Sequence, residues 1–197
     1  MTEQTPPTLE AVRDWYVAVR HAAKLLSRLG EKHWDNLPDD HPISRDELFK
    51  RYTTGAKLGT AAEATATDVL EDTAVLMLFA AFEGRLRARA AGDVKAELAA
   101  LPPQSLLSRV PAQLGRRVER AALARLLDFY SPSDPRLVDE VKALRLHRNS
   151  LVHGRSVSSR KRLRPENVYT VLSRFLSLLE SRSVAEPAGG PRAGPGG

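Results

Sequence analysis

The segment Ala74–Arg89, AVLMLFAAFEGRLRAR, decides the class of fold. From Val75 to Phe82 it is apolar on nearly every side, and it turns basic at Arg85, Arg87 and Arg89. A helix that is apolar all round is one that other elements surround. The uninterrupted apolar run, Ala74–Phe82, is far shorter than the roughly 20 residues needed to cross a bilayer, so a buried helix is expected and a membrane partner is not. The flanking alanines and leucines extend the helical pattern over 61–91, and Gly92 is the expected stop.

Working outward, Val12, Trp15, Tyr16, Val19, Ala22, Ala23 and Leu26 recur at helical spacing. They predict a helix over 9–29 with one apolar face, capped by Thr8 and closed by Gly30. Ser44 and Glu47 have capping-box spacing, which predicts a short helix interrupted by Gly55 and Gly59. Beyond the central segment, helices are expected over 113–130, 136–153 and 166–181. Pro165 suits the first turn of the last one. No stretch alternates apolar and polar residues for long enough to require a strand. The expected fold is all-α: a bundle of four to five long helices with shorter ones between them. It forms one domain over 1–184, and the Gly- and Pro-rich stretch 185–197 is expected to be disordered.

Composition narrows the chemistry. The 197 residues include no cysteine, which excludes a disulfide framework, thiolate metal sites and cysteine catalysis. No Walker loop, GxGxxG turn, GxSxG elbow or HExxH pair is present, and neither a cofactor nor a metal is expected. Lys and Arg total 30 against 24 Asp and Glu, a net charge of +6 that suits a polyanionic partner without naming one. The opening MTEQTPP lacks the basic and apolar regions of a secretory signal, so a cytoplasmic location is expected.

The stretch Arg136–Arg155, RLVDEVKALRLHRNSLVHGR, carries the residues that point to a function. Leu137, Val141, Leu144 and Leu151 form a stripe, and Arg148 occupies the place on it where another leucine would fit. A charge on an apolar seam needs a partner or a purpose, because burying it alone is costly. Arg145, Asn149 and His153 stand at four-residue intervals on an adjacent face. His153 falls at the helix end, just before Gly154. The negative end of the helix dipole favours an imidazolium at such a place by a few tenths to about 1 kcal/mol. Imidazole is also the side chain whose ordinary titration lies nearest neutral pH.

The run RNSLVHG, Arg148–Gly154, resembles the signature of the HEPN superfamily (higher eukaryotes and prokaryotes nucleotide-binding domains). Its ribonuclease members carry Arg, a following polar residue and, after a spacer of four to six, His. Arg148, Asn149 and His153 match that pattern with a spacer of four. The segment Leu78–Arg89 also resembles the family's second core helix, with an acid at Glu83. The resemblance covers most of the chain up to Leu179, although only the motif is specific. It implies an all-α bundle, a homodimer in which two motifs meet, and metal-independent endoribonuclease activity on RNA. It also implies a toxin or phage-defence setting with an antitoxin or sensor protein as partner.

Cleavage by this route needs a group to move protons, a group to bear the charge on phosphorus and a group to hold the geometry. His153 is assigned the first role, Arg148 the second and Asn149 the third, with Glu83 and Arg145 supporting them. The loop residues Arg155, Arg160, Lys161, Arg162 and Arg164 come next without an intervening acid and are the expected RNA-binding surface. Arg116, Arg117, Arg120 and Arg125 can extend it.

Plainer readings stand beside these. Arg148 can pair with a core acid such as Glu83, His153 can be only a helix cap, and the basic loop can be only solvated. The alternative function is a non-catalytic HEPN module that binds a partner or nucleotide through the same bundle. A basic helical DNA-binding protein is a weaker third reading, since no helix–turn–helix pattern is clear.

Overall fold

Four helices pack around the one that carries the central segment in a computed structural model that describes residues 7–32, 38, 40, 58–99, 117, 121–130, 134–153 and 163–185. In chain order the helices are α1 (Leu9–Lys32), α2 (Leu58–Ala99), α3 (Leu123–Phe129), α4 (Pro135–Val152) and α5 (Pro165–Ala185). No strand occurs among the described residues, and no helix among them is long and apolar enough to cross a membrane.

The all-α bundle expected from the sequence is what forms, with α2 at its centre. Helix α2 packs against each of the other four. Its Val75, Leu78, Phe79, Phe82 and Leu86 are all at most 1% exposed. Phe82 meets Phe175 of α5 edge to face at 5.6 Å and Phe79 at 6.4 Å. Val168, Leu172, Phe175 and Leu179 of α5 and Leu137, Val138 and Val141 of α4 complete the same core. Each such side chain contributes roughly 1.5–3 kcal/mol by leaving water.

Ion pairs set the directions of the helices. Arg85 of α2 reaches both Glu10 at the start of α1 and Glu180 near the end of α5. Arg20 of α1 pairs with Glu166 at the start of α5. Helix α1 is therefore antiparallel to α5, and α2 is parallel to it. Helix α4 packs against α5, and its N-cap Asp134 lies 3.7 Å from Arg174, in the middle of α5.

Local signals account for several boundaries. The Thr8 hydroxyl accepts the Ala11 N–H at 3.2 Å, as the cap reading expects. The Asp134 carboxylate accepts the Leu137 N–H at 3.0 Å, with Pro135 in the first turn. Other boundaries differ from expectation. Helix α1 passes through Gly30 to Lys32, and α2 passes through Gly92 to Ala99. Glycine stops a helix only when the next residues turn away. Here Arg89 and Asp93 pair at 2.7 Å across Gly92 and keep the turn closed. The helix expected over 113–130 is interrupted at Ala122, which is extended (φ −63°, ψ 139°), and α3 begins at Leu123. Arg87 of α2 takes the Ala121 carbonyl at 2.7 Å, holding that oxygen against a neighbouring helix.

The apolar face of α1 is also narrower than expected. Leu9, Val12 and Tyr16 are buried, while Trp15 and Val19 are each 37% exposed and Ala22 and Ala23 are exposed too. The buried line Leu9–Val12–Tyr16 faces α2 and α5. Trp15 lies about 100° around the helix from Tyr16, while Val19 is on the side of Val12, two turns further on, and is still partly open. Ser44, Glu47, Gly55 and the stretch 186–197 lie outside the described residues.

Candidate active site

Helix α4 presents two faces with different chemistry. The inward line runs Leu137–Val141–Leu144–Arg148–Leu151. Leu137 and Val141 are buried, and Leu144 and Leu151 pack against the core from its edge. Arg148 lies half-buried on that line. Its Nε is buried with no hydrogen-bond partner, and one Nη donates to Asn149 Oδ1 at 3.2 Å. No acid among the described residues pairs with it. The stem thus occupies a place fit for leucine, while the guanidinium is bound by a neutral amide.

Asn149 joins the parts of the motif. Its side chain accepts from Arg148, and its carbonyl accepts the His153 N–H at 3.1 Å. That backbone bond closes the last turn of α4 and fixes His153 as the C-cap residue (φ −88°, ψ 8°). His153 is exposed, so its imidazole is open to a substrate from solvent.

Arg145, one turn before Asn149, is half-buried, and its Nε is also buried without a partner. Arg145 and Arg148 are three residues apart and neighbours on the helix surface. Two neighbouring guanidinium groups that no described acid pairs with make this side of α4 locally positive, which suits an anion, although their Nε atoms are themselves buried.

Glu83 is placed elsewhere. It pairs with Arg87, one turn on in α2, and Arg87 also holds Ala121. The contact is structural and leaves Arg148 without Glu83. Of the expected RNA-binding residues, Arg164 is exposed, and its carbonyl accepts the Asn167 and Val168 N–H groups to start α5. Arg155, Arg160, Lys161 and Arg162 lie outside the described residues, as do Arg116 and Arg120. Arg117 and Arg125 are exposed. Among the described residues, no group of three or more His, Asp or Glu is placed to hold a metal ion.

One feature escaped the sequence reading. On the outer face of α4, Leu146 is 58% exposed, between Lys142 and Asn149 in the row Lys142–Leu146–Asn149–His153. The spacing i, i+4, i+7, i+11 is visible in the sequence, but attention to the opposite leucine stripe hides it.

The chain matches no family model, no curated protein and no solved structure.

Proposed function

We propose that the protein is a metal-independent endoribonuclease of the HEPN type, acting as a homodimer. The observation that carries this reading is the state of Arg148. It sits on an apolar line, bound to Asn149 and to no described acid, five residues before an exposed His153. A purely structural arginine in that place is expected to have an acid partner. An arginine kept for phosphate is expected to have free donors.

In the proposed reaction, one His153, neutral, takes the proton from a ribose 2′-OH. The freed oxygen attacks the adjacent phosphorus, and the bond to the 5′-oxygen breaks. The leaving oxygen takes a proton from the second His153, supplied by the partner copy. The products are a 2′,3′-cyclic phosphate and a 5′-hydroxyl. Arg148 offers two parallel N–H donors to the phosphoryl oxygens, where negative charge builds up. Asn149 holds the guanidinium in place. Arg145 and the basic residues just beyond the motif in sequence draw the polyanion to the site. The resemblance of RNSLVHG to the superfamily signature supports the dimer and the reaction type. It is also the sole ground for a toxin or phage-defence role with an antitoxin or sensor partner.

The test is cleavage of single-stranded RNA in EDTA. Wild type should yield 2′,3′-cyclic ends, and His153→Ala should be slower by about 10²–10⁴-fold. Arg148→Ala should lose activity as well. Cleavage that survives in both variants, or that EDTA abolishes, overturns the reading.

A further inference from the structure

The outer face of α4 extends beyond the motif. Lys142, Leu146, Asn149 and His153 stand in one row about 16 Å long, at 1.5 Å per residue. That length spans more than one nucleotide. The chemistry changes along it in an order that suits a nucleic acid strand: a cation, an exposed apolar side chain, an amide, an imidazole. From Lys142 to Arg164 the sequence contains no Asp or Glu, and on α4 itself the exposed Asp139, three residues before Lys142, bounds the row. The nearest acid shown touching the row comes from α3, where Asp128 Oδ1 lies 2.7 Å from Lys142 Nζ. Both side chains are open to solvent, Lys142 at 36% and Asp128 at 60%, so the pair is easily exchanged for another partner.

We propose that Lys142 and Leu146 form a subsite for the RNA nucleotide next to the scissile phosphate. Leu146 packs against the base or ribose, and Lys142 leaves Asp128 to meet the following phosphate. A single exposed leucine is ordinary on a protein surface; its place in the row gives this one a role. The position of the scissile phosphate rests on the ribonuclease reading. Binding along the row does not.

The two are tested separately. Binding is measured by fluorescence anisotropy with a short fluorescein-labelled 2′-O-methyl oligouridylate, which 2′-OH attack cannot cleave. Leu146→Ser should weaken binding by about 3- to 10-fold with the salt dependence unchanged, since an apolar contact is lost. Asp128→Asn should tighten it by about 2- to 5-fold and steepen the salt dependence, because Lys142 is released to phosphate. Both residues are exposed, and circular dichroism and sedimentation accompany each variant to show that fold and assembly are intact.

Unchanged affinity in Leu146→Ser, or unchanged or weaker affinity in Asp128→Asn, overturns the subsite. So does a wild type that does not bind the oligonucleotide. If Leu146→Ser alters sedimentation and leaves RNA affinity alone, the row belongs to a second copy of the chain and the subsite is again overturned. If both binding shifts occur but unmodified RNA is never cleaved, the subsite stands and the catalytic reading falls. If cleavage depends on His153 while Leu146→Ser binds normally, the reverse holds.

Discussion

Replacing Arg148 by methionine should make the protein more stable and inactive. Methionine keeps an unbranched stem of similar length and fits the line Leu137–Val141–Leu144–Leu151. The change removes a buried Nε donor that has no partner. A fully buried unsatisfied donor costs about 1–3 kcal/mol. Arg148 is only half-buried, so about 1 kcal/mol is the proper share. Against this, the 3.2 Å bond to Asn149 is lost, worth about 0.5 kcal/mol. A thioether in place of a guanidinium on an apolar line returns about 0.5 kcal/mol. The net expectation is a gain of about 1 kcal/mol, or about 2–4 °C in Tm for a chain of this size. Urea denaturation of wild type and Arg148→Met checks it, with an unchanged m value showing that the unfolding transition is the same. A loss of more than about 1 kcal/mol would refute the reasoning. It would mean that the guanidinium holds the bundle together and that its free donors are not reserved for a ligand.

Three further outcomes are expected. Gly84 lies in mid-helix with nothing within 4 Å of an added Cβ, so Gly84→Ala should stabilise by about 0.5–1 kcal/mol in thermal melts. Asp134→Ala removes the cap of α4 and should cost about 1 kcal/mol, and Asp134→Asn, which can still accept from Leu137, should cost less in the same melts. Burial, with the Glu166 carboxylate nearby and Arg20 opposing it, pushes the Tyr16 hydroxyl up to about 12 from 10.0. The folded state therefore holds this proton more tightly than the unfolded chain does. The associated stability is complete below pH 10 and is lost as pH rises toward 12. Tyr16→Phe should flatten urea midpoints over that window, while near neutral pH the phenol is protonated in both states and the pH dependence is the same for both proteins.

How much of this was legible in the sequence depends on the range of the interaction. Thr8 and Pro165 announce helix starts because a cap or a first-turn proline acts within three or four residues. The line from Val75 to Leu86 announces the core because every side of α2 meets another helix. The stops at Gly30 and Gly92 misled, since a glycine ends a helix only if its neighbours leave the helical path, and at Gly92 the Arg89–Asp93 pair carries the helix onward. Nothing local announces the break at Ala122, because alanine is the best helix former. What accompanies it is long-range: Arg87, 34 positions earlier in the chain, donates to the Ala121 carbonyl. In the site, the contacts of Asn149 are local, with Arg148 next to it and His153 one turn on, and spacing alone announces them. The proposed support from Glu83 could not be judged, because which arginine it meets is settled by packing. Leu146 looked like one more leucine in a leucine-rich helix until its exposure set it apart.

The double contact of Arg85 also bears on how the molecule can be handled. One side chain of α2 gathers Glu10, near the start of the first helix, and Glu180, near the end of the last. The start of the first helix and the end of the last are therefore tied to one point on α2. An affinity tag or fluorescent reporter attached before α1 or after α5 projects from that shared end of the bundle. A short peptide joining those same ends would close the chain into a ring, from which new termini can be opened without disturbing α4.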